Sequence, residues 1–365
     1  MTRRSPVLAG AVAFALAALL LMAMGGELMT PMLPVAALAL AAAGLAAMRL
    51  PAWRGWLMGL GAHGAAFALL SALPLLAGHL GAAFWALVIA AWLGAWSFAE
   101  ALSGARLRSG MGRRALDLAV PLVFGAWILI LWEILVRGLG VPAVLLPPPS
   151  AIWLRLAGSL PTLAADFRQT FLKAVLVGYA IGCGAGFLAA ILVDRVPFLR
   201  RGLLPVGNLV SALPIVGVAP IMVMWFGFDW PSKAAVVVIM TFFPMLVNTV
   251  AGLAAASAME RDLMRTYAAG YWQALAKLRL PAALPFIFNA LKINSTLALI
   301  GAIVAEFFGT PIVGMGFRIS TEVGRMNIDM VWAEIAVAAL AGSAFYALVS
   351  ALERVLTFWH PSYRT

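Results

Sequence analysis

The stretch Met259-Glu-Arg-Asp-Leu-Met-Arg-Thr-Tyr-Ala-Ala-Gly-Tyr-Trp-Gln-Ala-Leu-Ala-Lys-Leu-Arg-Leu-Pro281 leads directly into an apolar run over 283–307. That junction decides the fold class. A helix needs about 20 apolar residues to cross a bilayer, and the run supplies them. The stretch before it mixes charge with large apolar residues at helical spacing: Leu263 and Tyr267, then Trp272, Leu275 and Leu278. Ala268-Ala-Gly270 divides it into two short helices. A solvated connector would not keep Tyr267, Tyr271 and Trp272. An amphipathic pair of this kind either lies on a membrane surface or docks into a groove of a partner protein.

The rest of the chain extends the membrane reading. Of 365 residues, 64% are hydrophobic and 11% charged. A soluble domain is nearer half apolar and a quarter charged. The excess must face lipid, which excludes an ordinary soluble enzyme, a disordered chain and a secreted disulfide scaffold. Apolar runs between breakers predict ten transmembrane helices in an all-α integral membrane protein. They lie near 7–24, 31–48, 56–77, 81–103, 116–136, 166–193, 202–226, 233–256, 283–307 and 331–352. The apolar run after Arg3 and Arg4 exceeds the 7–15 residues of a signal-peptide core and ends without a strong cleavage site. It reads as an uncleaved first span.

Charge position sets the expected topology. With the N-terminus in the cytoplasm and the spans alternating, 17 of the 25 lysines and arginines fall on the cytoplasmic side and seven in or near outside loops. Lys292 lies inside a span. This bias predicts an even helix count with both termini cytoplasmic. The net charge of +11 is then mostly topology, and no nucleic-acid partner is expected, because no basic patch with interleaved aromatics sits on a soluble fold. Texture divides the chain in two. Residues 1–110 form a four-helix extension that is Ala/Leu/Gly-rich, and the boundary falls within the basic linker Arg106-Leu-Arg-Ser-Gly-Met-Gly-Arg-Arg114. Residues 111–365 carry longer loops, prolines within apolar runs and polar residues inside helices. No internal repeat stands out.

Polar residues inside spans are expensive and usually face a protein interior or a wet cavity. Asn289, Lys292, Thr296, Ile303 and Glu306 recur along the ninth span, with Ser295 beside them. Two readings fit: a translocation-path face, or Lys292 snorkelling to the headgroups with Glu306 at the opposite interface. Fourteen residues is about 21 Å of helix, so Lys292 and Glu306 do not pair. Gly178, Gly182 and Gly186 form a small-residue ladder that lets a helix approach closely, either within the chain or across a dimer seam. Pro214 and Pro220 kink or break the seventh span; a path-lining hinge and an ordinary membrane-helix proline both fit. Glu133 and Arg137 are spaced for a local i,i+4 pair. Cys183, the single cysteine, reads as a small packing residue. His63, His79 and His360 are scattered, so no metal site is expected. Ser150 and Ser211 lack a nucleophile's context, and no catalytic residue is expected.

Several motifs resemble one family. The 258–282 segment resembles the cytoplasmic coupling loop in permease subunits of ATP-binding cassette importers, which reads Glu-Ala-Ala, three residues, Gly, then a stretch ending in Leu-Pro. Here Asp262-Leu263-Met264 takes the Glu-Ala-Ala positions, and Leu280-Pro281 matches the ending. Ala268 stands where that family has glycine, with Gly270 two residues on. Leu145-Leu-Pro-Pro-Pro-Ser-Ala-Ile-Trp153, Ala212-Leu-Pro-Ile-Val-Gly-Val-Ala-Pro-Ile221 with Trp225-Phe-Gly227, and Ala305-Glu-Phe-Phe-Gly309 with Gly314-Met-Gly316 resemble the nitrate/sulfonate/taurine branch. The resemblance covers about 115–360; the first four helices match nothing in that family.

The resemblance implies a six-helix type I importer permease core, working as two copies in a bacterial inner membrane. It implies cytoplasmic ATPase subunits docked through Asp262, Leu263, Met264, Tyr267, Ala268, Gly270, Leu280 and Pro281, and a periplasmic binding protein that delivers a small solute. The branch implies a sulfonate- or nitrate-like anion. The Arg265-Thr-Tyr-Ala-Ala variant of the loop looks more like relatives for pyrimidine-type vitamin precursors or riboflavin. The lysines follow Leu172, Ser232, Ala276 and Leu291, whereas a phosphate-binding Walker A loop needs Gly-Lys. ATP would therefore be bound by a partner, with no cofactor on this chain. A self-contained secondary transporter is the runner-up; it predicts inverted repeats. An intramembrane enzyme predicts paired catalytic groups at one depth. Neither feature is found.

Overall fold

The computed structural model describes residues 6–25, 31–76, 80–105, 110–211, 214–309 and 312–359. His79, His360, Arg106, Arg108, Ala212 and Leu213 lie outside these. Among the described residues there are helices and no strands. The chain divides into two compact units, Met1–Ile152 and Trp153–Thr365.

The first unit contains α1 (Pro6–Gly25), α2 (Met32–Arg49), α3 (Arg54–Ala72), α4 (Ala82–Ser103) and α5 (Gly110–Gly138). Alanines fill the contact faces: Ala11, Ala15 and Ala18 of α1, Ala37 and Ala41 of α2, Ala62 of α3, Ala90 and Ala91 of α4. Small residues let membrane helices approach closely enough for dispersion to hold them. Larger side chains, Leu33, Leu40, Met58, Leu69, Phe84 and Leu87, fill the spaces between. The fifth helix, grouped by texture with the later residues, packs its Trp127 and Ile134 into this same cluster. Trp127 Nε1 donates to His63 Nε2 at 3.3 Å, and His63 Nδ1 reaches the Gly59 carbonyl at 2.7 Å.

After α6 (Pro149–Gly158), the second unit is built around α7 (Leu160–Arg195), α10 (Trp230–Ala254), α12 (Tyr271–Glu306) and α14 (Ile328–Leu356). The shorter α8 (Pro197–Ser211), α9 (Ile215–Phe226), α11 (Ala258–Thr266) and α13 (Met315–Gly324) connect them. Helix α10 packs against both α7 and α12. Nine helices of the described residues are long and apolar enough to cross a membrane. The difference from ten lies at 202–226, where two shorter helices replace one span. Pro214 is extended, with ψ 117°, at the head of α9, and a proline lacks the N–H that would continue the helix. Wider π-helical turns interrupt α7 over Arg168–Val175 and α12 over Leu275–Arg279.

Candidate functional site

The 258–282 segment folds as α11, a turn, and the first turns of α12. Ser257 caps α11 through a reciprocal box: its hydroxyl accepts from the Glu260 N–H at 3.2 Å, and Glu260 accepts from the Ser257 N–H at 2.8 Å. The backbone donor, then the hydroxyl, holds the Glu260 carboxyl below the usual glutamate value. Ala268 closes the helix with φ +52°, a left-handed conformation that explains why glycine suits this position. The Gly270 N–H donates to Gln273 Oε1 at 3.0 Å and starts α12. Met259, Leu263 and Tyr267, four residues apart on one face, are 82%, 56% and 77% exposed. Trp272 is also exposed. Asp262 pairs only locally, with Arg265 at 3.2 Å. Leu280 and Pro281 lie half-buried where α12 enters the bundle.

This exposed element is rigidly mounted. Arg279 grips Asp194 of α7 with two bonds of 2.7 and 2.6 Å, and its Nε donates to the Leu253 carbonyl at 3.0 Å. Tyr271 donates to Asp194 Oδ2 at 2.9 Å, and the Arg195 guanidinium lies 4.6 Å above the Tyr271 ring. A bidentate arginine–carboxylate pair fixes orientation as well as distance. The sequence reading did not single out Asp194. Its signal is a carboxylate at the end of an apolar run, but its partner lies 85 positions away.

At the other end of α12, Glu306 is buried. Its Oε1 accepts from Thr170 at 2.8 Å and its Oε2 from the Gly316 N–H at 2.7 Å. Asp166 accepts from the Gly314 N–H at 2.6 Å and from Arg318 at 2.8 Å, and Thr170 accepts from the Met315 N–H at 2.8 Å. These side chains satisfy the free N–H groups at the start of α13. Lys233, counted by topology among outside loops, is 1% exposed. It donates to the Phe228 carbonyl at 2.6 Å and to the Gly309 carbonyl, joining the segments that follow α9 and α12. Asp229 caps α10 by accepting from the Trp230 N–H at 2.7 Å, and Gln169 donates to it at 2.6 Å. The backbone donor, Gln169 and the nearby lysines hold its carboxyl below the usual value.

The stripe on α12 therefore divides. Asn289 and Thr296 are exposed, together with Ile293 and Ile300. Lys292 is half-buried and pairs with Glu353 of α14 at 2.8 Å, while Glu306 belongs to the buried network. The neighbouring Asn294, not singled out from sequence, is fully buried and donates to the Thr241 carbonyl at 2.8 Å and to Cys183 Sγ at 3.2 Å. Gly178, Gly182 and Gly186 face α10. A Cβ on Gly178 would stand 2.6 Å from Val237 Cβ and 2.7 Å from the Ala234 carbonyl oxygen. Pro220 lies within α9, six residues past the break at Pro214. In the first unit Glu133, Arg137 and Ser150 meet: Glu133 accepts from the Ser150 hydroxyl at 2.7 Å and its N–H at 2.9 Å. Among the described residues no group of three metal-ligating side chains occurs.

Residues 182–358 match a family model described as a binding-protein-dependent transport system inner membrane component. The chain is 31% identical over 247 residues to the formylaminopyrimidine transport permease protein of Halalkalibacterium halodurans, covering 68% of this chain and 98% of that one. It is 31% identical over 249 residues to the riboflavin transport system permease protein of Chloroflexus aurantiacus, covering 68% and 91%. It is 30% identical over 263 residues to a putative aliphatic sulfonates transport permease protein of Bacillus subtilis, covering 70% and 93%.

Proposed function

We propose, from the premise that the chain belongs to the binding-protein-dependent transport system inner membrane components and is the permease subunit of an ATP-binding cassette importer of a small solute, that ATP is bound and hydrolysed on separate cytoplasmic subunits docked on α11. One observation carries this reading. Met259, Leu263 and Tyr267 form an exposed apolar face on a helix whose continuation is clamped by Arg279 and Asp194. Exposed apolar patches mark contact sites, and a rigid mount transmits displacement into α7 and α12. In this reading α11 faces the cytoplasm, both termini are cytoplasmic, and the membrane is a bacterial plasma membrane. Two copies form the path, and a periplasmic binding protein delivers the solute. Asn289 and Thr296 line the path with Pro214 and Pro220 at its hinge. ATP closes the ATPase pair, α11 follows, and the spans alternate their access.

The solute we favour is a pyrimidine-type vitamin precursor over a sulfonate-like anion. The exposed face of α12 offers an amide and a hydroxyl, suited to a neutral hydrogen-bonding ring, whereas the Lys292 cation is engaged by Glu353. Two relatives carry formylaminopyrimidine and riboflavin in their names. The test of docking is Asp262→Lys combined with Tyr267→Ala. The variant chain is expected to reach the membrane yet lose both co-purification of the ATPase and solute uptake. Retention of both would overturn the proposal.

A further inference from the structure

The buried network around the start of α13 has one carboxyl that its hydrogen bonds leave out. Glu334 of α14 is 0% exposed, and among the described residues no donor reaches either of its carboxyl oxygens. It lies within hydrogen-bond reach of the Asp166 carboxyl. An ionised carboxylate without a donor is very costly in a buried site, and such a group takes a proton instead.

Asp166 accepts on both oxygens, from the Gly314 N–H at 2.6 Å and from Arg318 Nε at 2.8 Å. Two carboxyls in contact do not both ionise. Glu334 can donate to Asp166 only as the neutral acid. The other charged groups around it are engaged elsewhere. Arg318 of α13 directs its Nε to Asp166 and also faces Glu322 of its own helix. Glu306 of α12 adds negative charge and has its own donors, Thr170 and the Gly316 N–H. Lys233 of α10 acts on Glu306, with its amine held by the Phe228 and Gly309 carbonyls.

We propose that Glu334 is a proton-binding site: it holds one proton at neutral pH and donates it to Asp166, and this bond fastens α14 to α7 beside the start of α13. The ligand is a proton rather than a metal ion, because among the described residues no third ligating side chain completes a coordination set. Raising the pH removes the proton and sets two anions side by side with the Arg318 guanidinium facing both. The joint then opens on the α14 side, while Gly314 and Arg318 keep Asp166 in place.

Infrared spectroscopy of the full chain in lipid nanodiscs at neutral pH reads the proton directly, as the carbonyl stretch of a neutral carboxyl. The wild type is expected to show that band, to shift it when its glutamates carry carbon-13 at the carboxyl, and to lose it in Glu334→Gln. The amide of that variant still donates to Asp166, so its melting midpoint at neutral pH is expected to match the wild type's. An unfolded glutamate is ionised at neutral pH. The folded chain therefore binds one more proton than the unfolded chain, and its stability falls as pH rises. Above neutrality the wild-type midpoint is expected to fall by about 2 °C per pH unit more than that of Glu334→Gln. A wild type without the band, a band that glutamate labelling leaves unshifted, or a band that survives Glu334→Gln overturns the proposal. So do equal pH slopes in the two chains. A band that disappears when sodium replaces an organic cation at constant pH would give the site to a metal ion, and also overturns it.

Discussion

At the scale of single residues, Ala268 and Asp194 set the geometry of the exposed helix. Ala268 sits at φ +52°, where a side chain costs about 1–2 kcal/mol against the right-handed conformation. The family's glycine takes that conformation freely, although it adds unfolded-state entropy that offsets part of the gain. Ala268→Gly is therefore expected to tighten the turn by up to ~1 kcal/mol, and Ala268→Val to loosen it. Hydrogen exchange at Ala268 and Ala269, whose N–H groups bond to the carbonyls of Arg265 and Met264, reads the effect. Equal protection in the alanine and valine chains would remove the argument. Asp194 acts through Arg279 and Tyr271, and the surface it positions lies on a different element. That separation is why sequence reading found the exposed face and missed its mount: amphipathic spacing is local, whereas the pair closes across 85 positions.

At the scale of elements, the contacts joining helices are either small-residue faces or isolated polar pairs. Apolar runs are visible in sequence because each span must satisfy its own backbone, and the glycine ladder is visible because its spacing repeats within one helix. The partner α10, the π turns of α7 and the polar joints are not visible, since each depends on a second helix. Lys292 illustrates the limit. Periodicity placed it on a stripe with Glu306, yet its carboxylate is Glu353, 61 positions on, at 2.8 Å. A paired cation in a span costs much more to orphan than to replace together with its partner. Lys292→Met alone and Glu353→Gln alone are each expected to lower thermal stability by more than Lys292→Met with Glu353→Leu. Uptake by the double variant separates the two roles of this face. Restored stability with uptake intact makes the pair a structural joint; restored stability with lost uptake returns Lys292 to the path.

At the scale of the whole molecule, the relatives show how much of the chain the family's own length accounts for. The Halalkalibacterium permease is covered over 98% of its length by 68% of this chain, so about a third of the chain has no counterpart there. Residues 1–105 match that size, and their loss would bare the contact side of α5. In water, uncovering Trp127, 2% exposed, and Ile134, fully buried, would be severe. In a bilayer the replacement medium is as apolar as the helices removed. What remains is lost packing and one orphaned indole N–H, that of Trp127, whose acceptor His63 goes with the extension; an unmade buried hydrogen bond costs about 1–3 kcal/mol. A chain starting at residue 106 is therefore expected to insert, recruit the ATPase and retain uptake, with a lowered melting midpoint. His63→Leu in the full chain is expected to reproduce part of that drop, because it orphans the same N–H without removing a helix. If the shortened chain binds the ATPase and no longer transports, the extension takes part in translocation, and its helices belong to the path.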